Sequence, residues 1–152
     1  MKTTTFSAAT VVVLTFLLAA NCFAQRGMKR NGSGGWGTTG TYNSVYDLKT
    51  VETILGEVVS VDSMTFGKGM PYGIHVVVKT DEETISVHLG PAWYIQNQDT
   101  QIQIKDVIQV RGSRISFGGP PALIAAEVKD GKGILKLRND SDIPVWSGWK
   151  SR

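Results

Sequence analysis

The sequence predicts an all-β protein, an OB-fold-like small Greek-key β-barrel with one short helix between strands 3 and 4. Three observations carry this. Short runs rich in Val, Ile and Thr recur along the chain, separated by Gly, Pro, Asn and Asp. Past residue 45 no stretch shows a long helical period. The one short helix signal, PAWYIQNQ at 91–98, follows the third strand, with Pro91 at a tolerated first-turn position.

Each element has its own signature. VETILGEVVSVD (51–62) has strand composition, and Gly56 inside it marks a bulge or a sharp bend. DSMTFGKGMPYG (62–73) reads as a long loop. IHVVVKT (74–80) and TISVHLG (84–90) form a hairpin around a charged turn. DVIQVRGSRIS (106–116) is the fourth strand. PALIAAEVKDG (121–131) follows a Gly-Gly-Pro-Pro turn, and KGILKLR (132–138) supplies one more short strand.

Ahead of this domain, residues 1–24 have the layout of a secretory signal peptide: Lys2, an apolar run from Val11 to Ala20, then small residues before a cut after Ala24. The run is too short for a transmembrane helix, which needs about 20 residues. A lipoprotein signal acylated at Cys22 is the competing reading, with Asn21 a poor fit before it. Cys22 is the sole cysteine, so the exported chain has no disulfide and depends on its core. Export implies a periplasmic or secreted protein. Residues 25–45 are glycine-rich and read as a flexible linker, with Trp36 a solvated loop aromatic. The folded domain then spans 46–152. Losing Lys2 leaves 15 basic against 13 acidic side chains, a mild excess for a dedicated nucleic-acid binder.

Strand parity locates the candidate site. Side chains alternate across a strand. Ile74, Val76 and Val78 form an apolar set, as do Ile85, Val87 and Leu89, so both sets face the core. His75 and His88, the two histidines of the chain, then share the opposite, accessible face. A two-residue turn at Asp81-Glu82 sets them directly opposite each other, and a turn at Glu82-Glu83 moves them to a diagonal. In OB-folds the face of strands 2 and 3, with the loop between strands 1 and 2, is the usual ligand surface. That loop carries Met64, Phe66, Lys68, Met70 and Tyr72 to the rim.

On this face the expected ligand-binding residues are His75, His88, Lys79, Ser86, Tyr72 and Phe66. Two imidazoles with the thioethers of Met64 and Met70 suit copper(I) or another transition metal. The alternative is a surface polar cluster in which the histidines pack with Ser86 and nearby aromatics. A polyanion could stack and pair with Trp93, Tyr94, Lys79, Lys105, Arg111 and Arg114, although Trp93 falls where the short helix must plug the barrel. Of Trp146 and Trp149 in the tail, one is expected to pack back on the barrel. No catalytic constellation is found: there is no G-x-S-x-G elbow, no H-E-x-x-H, and no cysteine after the cut. FGKGMPYG lacks the Lys-Ser/Thr ending of a phosphate loop, and Asp81, Glu82 and Glu83 sit at a turn tip. An enzyme is therefore not expected.

GEVVSV (56–61), HVVVKTDEETISVHL (75–89), Trp93 and KDVIQVRGSRI (105–115) together resemble the small periplasmic bacterial OB-fold proteins of the stress-tolerance type. Lys105, Asp106, Ile108, Val110 and Gly112 match their K-D-x-V-x-V-x-G segment. A closer likeness is to uncharacterised secreted proteins carrying G-x-H, V-H-L-G-P-x-W-Y and a terminal L-R-(D/N)-x-x-x-x-P-x-W, here Gly73–His75, Val87–Tyr94 and Leu137–Trp146. Such proteins are often labelled DNA-binding. Similar segments occur in magnetosome-associated proteins, which implies a metal or redox setting. The long Met-containing first loop and the tryptophan-rich tail depart from the stress-tolerance pattern. The expected function is a non-enzymatic binding module for a small ligand or a periplasmic protein. The alternatives are a metal-handling or redox accessory using His75 and His88, and an oligonucleotide or oligosaccharide binder.

Overall fold

A computed structural model describes residues 35–38, 40–116 and 119–147. The signal peptide and its Cys22 alternative, residues 25–34 of the expected linker, and Trp149 lie outside the described residues.

The described residues form six strands: β1 (Val51–Met64), β2 (Gly73–Lys79), β3 (Thr84–Pro91), β4 (Val107–Ile115), β5 (Ala122–Asp130) and β6 (Gly133–Lys136). The same residues also form two single-turn helices, α1 (Thr41–Ser44) and α2 (Ala92–Ile95), and a 3₁₀ turn (Leu48–Thr50). The hydrogen-bonded order is β3-β2-β1-β4-β5-β6. A parallel pairing of Ser86, Val87 and His88 with Ala122, Leu123 and Ile124 joins β3 to β5 and closes the ring. With α2 between β3 and β4, this is the Greek-key barrel order that the sequence predicts. Among the described residues no helix is long and apolar enough to cross a membrane.

Closure explains the length of β1. Its first half, Val51 to Glu57, pairs with β4, and its second half, Glu57 to Met64, pairs with β2. The strand must therefore bend sharply where it changes partner. Gly56 sits at that point, and a Cβ there would lie 2.5 Å from the Lys79 carbonyl oxygen. The register shift itself falls between Val58 and Ser60, so the sequence marker identified the bend while the bulge lies just beyond it. The strand also runs two residues further than expected, which shortens the first loop.

The inward sets behave as alternation demands. Val76, Val78, Val87, Leu89, Ile108 and Leu123 are fully or almost fully buried. Each such side chain contributes about 1.5–3 kcal/mol through removal from water. Tyr94 and Ile95 of α2 are buried in the core, while Trp93 just before them is half-buried against it rather than its plug.

The expectation of a linker through residue 45 fails for the part that the structure describes. Trp36 and Tyr42 are completely buried. Trp36 is no solvated aromatic: its ring lies on Gly73, where a Cβ would come within 2.5 Å of it, and its Nε1 donates to the Pro71 carbonyl at 2.9 Å. The glycine-rich composition hides two aromatics large enough to offset the ordering entropy of their neighbours. Trp146 packs back from the other terminus against Gly90, whose φ of +144° favours glycine, and it is fully buried as well.

Candidate functional site

The hairpin of β2 and β3 turns at Asp81 and Glu82, with the Thr80 N–H donating to the Glu83 carbonyl at 2.8 Å. This register places His75 directly opposite His88, the closer of the two arrangements open to the sequence. Their ring centroids are 6.2 Å apart, with the planes inclined at 63°. Both side chains are on the outer face, but they are half-buried rather than openly accessible. Phe66, carried there by the loop after β1, covers His88, its ring edge-on to the imidazole at 6.1 Å.

Phe66 is fixed from behind. It meets Tyr42 at 5.0 Å and Trp36 at 6.3 Å, so the segment before β1 supports the loop that covers His88. Trp146 locks that segment in turn, its Nε1 donating to the Trp36 carbonyl at 2.8 Å. Arg138 adds a second tie. Nearly completely buried, it donates from Nη1 to Asn43 Oδ1 and to the Asp142 carbonyl, each at 2.7 Å, and its guanidinium lies 3.8 Å from the centre of the Tyr46 ring. Burial lowers the Arg138 pKa and raises that of the Tyr42 hydroxyl.

Beside the histidines lies a cleft of about 360 Å³, whose walls include Met64, Phe66, Ser86, His88, Pro120 and Pro121. The prolines arrive because β5 runs parallel to β3, which brings the turn ahead of β5 onto this face. Met64 reaches the cleft from the end of β1. Its partner across the ladder is Gly73, so it is a diagonal neighbour of His75.

Electrostatically the pair is kept uncharged at His88. Burial first, and the neighbouring His75 second, push the His88 pKa down to about 4. At neutral pH it therefore presents an imidazole with a free lone pair. The Nδ1 atoms of His75 and His88 are both buried and make no hydrogen bond among the described residues.

The other expected residues are spread out. Ser86 lines the cleft. Tyr72 is half-exposed and its carbonyl accepts from the Ala92 N–H, while Lys79 is exposed at the end of β2; neither lines the cleft. Met70 folds over Gly35 and Gly67 and packs on the core instead. The stacking set is not gathered on one surface. Tyr94 is buried, Arg111 lies 3.6 Å from Asp142, and Arg114 is held between Glu52 and Glu83 in a second cleft at the hairpin tip. The hydrogen bonds from Arg114 lower the Glu83 pKa.

Trp36, Tyr42 and Arg138 are the supporting residues that sequence reasoning missed. The terminal L-R-(D/N)-x-x-x-x-P-x-W pattern was the available signal, because it contains both Arg138, which holds Asn43, and Trp146, which holds Trp36; these ties form a terminal clasp. The proline walls were missed too, although barrel closure implies that the turn before β5 meets β3.

No curated protein matches the chain. Residues 50–135 match the profile of a family described as the MamS/MamX magnetosome protein family. The matched span runs from the residue before β1 into β6, covering both histidines and every described wall of the cleft but not the terminal clasp. With more than half of its length matched, the chain belongs to the MamS/MamX magnetosome protein family.

Proposed function

We propose that this chain is an exported, non-enzymatic binding module that takes a small, partly apolar ligand, or one side chain of a partner protein, on the outer face of β2 and β3. The observation that carries the reading is the cleft itself. Phe66, Met64 and the two prolines offer apolar walls, while Ser86 and His88 supply polar atoms that orient what enters. Its walls come from three separate places in the chain, and the terminal clasp pre-positions one of them. Pre-organisation of this kind reduces the entropy lost on binding.

Export rests on the signal layout of residues 1–24, and the absence of catalysis rests on the missing nucleophile and metalloprotease motifs of the sequence. A saturation-transfer NMR screen of small aromatic fragments, such as indole, benzimidazole and nicotinamide, tests the cleft. Fragments that bind the wild type and are lost in Ser86→Trp, which fills the space, support the reading. Equal binding to both proteins, or no binding at millimolar concentration, overturns it.

A further inference from the structure

Beside the cleft, His75 and His88 present an arrangement that an ordinary polar surface pair does not need. We propose that these two histidines, with Met64 as a third donor, form a binding site for copper(I). The inference rests on reading the outer β2–β3 face as the binding surface and names a ligand for that face.

The first support is the state of the ring nitrogens. Buried polar atoms in folded proteins almost always find a partner, and each exception asks for an explanation. Here two such atoms, Nδ1 of His75 and Nδ1 of His88, are unpartnered among the described residues, on residues directly opposite each other at one ladder position. A shared ion gives ring nitrogens of the two side chains the partner they lack. The second support is spacing. With metal–nitrogen bonds of about 2.0–2.1 Å, rings that share an ion have centroids about 5 to 6 Å apart. The observed 6.2 Å is within a small ring rotation of that range.

The donor set selects the metal. Asp62 opposes His75 in register, yet among the described residues no group of three or more His, Cys, Asp or Glu converges on one point. Zinc in a structural site requires four ligands and calcium six or more oxygens, so neither is served here. Copper(I) is soft, accepts imidazole, and is selected by thioethers. Met64 lines the cleft with His88 and is diagonal to His75, and flexible thioether side chains span such gaps. Phe66 covers the His88 side and excludes water from an ion of low charge.

Anaerobic competition for copper(I) against the chromogenic chelator bicinchoninate, with the full chain, tests the assignment. The expected result is withdrawal of an equimolar amount of copper from the chelator. His75→Ala and His88→Ala should each weaken binding by at least roughly a hundredfold, since even outer-shell changes at metal sites cost about 10–100-fold. Met64→Leu should give a smaller loss. Near-ultraviolet circular dichroism of each variant establishes that the barrel is intact, and conservative His75→Gln serves where the alanine does not fold. Failure to compete, or competition unchanged in the histidine variants, overturns the site. Fragment binding reads the cleft separately, because His75 is not one of its walls. Copper failure with fragments still bound removes the metal alone, and failure of both removes the binding face.

Discussion

The indole of Trp146 donates a hydrogen bond to the backbone carbonyl of Trp36 across 110 positions of sequence. This one bond ties the last described segment to the first, and through Trp36 and Tyr42 it reaches Phe66, which covers His88. The barrel alone would leave the first loop without that backing. In this chain the described segments that flank the barrel are part of the apparatus that shapes the candidate site.

Trp146→Ala should therefore destabilise the fold by about 3–5 kcal/mol, the range for deleting a fully buried aromatic. Trp146→Phe should cost less but still weaken the protein, since it leaves the Trp36 carbonyl without its donor. Urea unfolding of the two variants beside the wild type measures both. A loss below about 1 kcal/mol for the alanine variant would show that the clasp is ornamental.

Truncation makes the same point from the other terminus. A chain beginning at Tyr46 should lose several kcal/mol relative to one beginning at Gly32, because Trp36 and Tyr42 are both completely buried. Hydrogen exchange should rise most around Phe66, whose aromatic neighbours are removed. Equal stability of the two chains would restore the linker reading of residues 35–45.

Acid should weaken the metal-free protein through His88. Its folded pKa of about 4 is below the ordinary histidine value of 6.5, so the unfolded chain binds the proton more tightly. The stabilising contribution is fully present above pH 6.5 and is lost as the pH falls toward 4, amounting to about 3 kcal/mol across that window. Urea unfolding across this range in the presence of a chelator should show the slope, and His88→Phe should flatten it. An unchanged slope in that variant would assign the acid sensitivity to other groups.

Much of the barrel was legible because alternation is a local signal. Val76 and Val78 against His75, and Val87 against His88, set the faces, while the charged turn narrowed the register to two, of which the structure takes the one with His75 opposite His88. The short helix after β3 was legible from Pro91 and its slot in the order. The terminal clasp was not, since nothing local to GSGGWGTTGTYNS says that Trp36 and Tyr42 have a surface to pack on. That surface exists only once the β2–β3 hairpin has brought Gly73 and Gly90 together. The degree of histidine burial was hidden for the same reason, because Phe66 reaches His88 only over that support.

The most direct test of the paired-histidine account is a long-range proton–nitrogen NMR spectrum of the two imidazoles, recorded before and after equimolar copper(I). The account predicts that ring-nitrogen resonances of His75 and His88 move together and stop changing at stoichiometry. If neither moves, or if one moves alone, the two rings do not act as a pair and the proposed site does not exist.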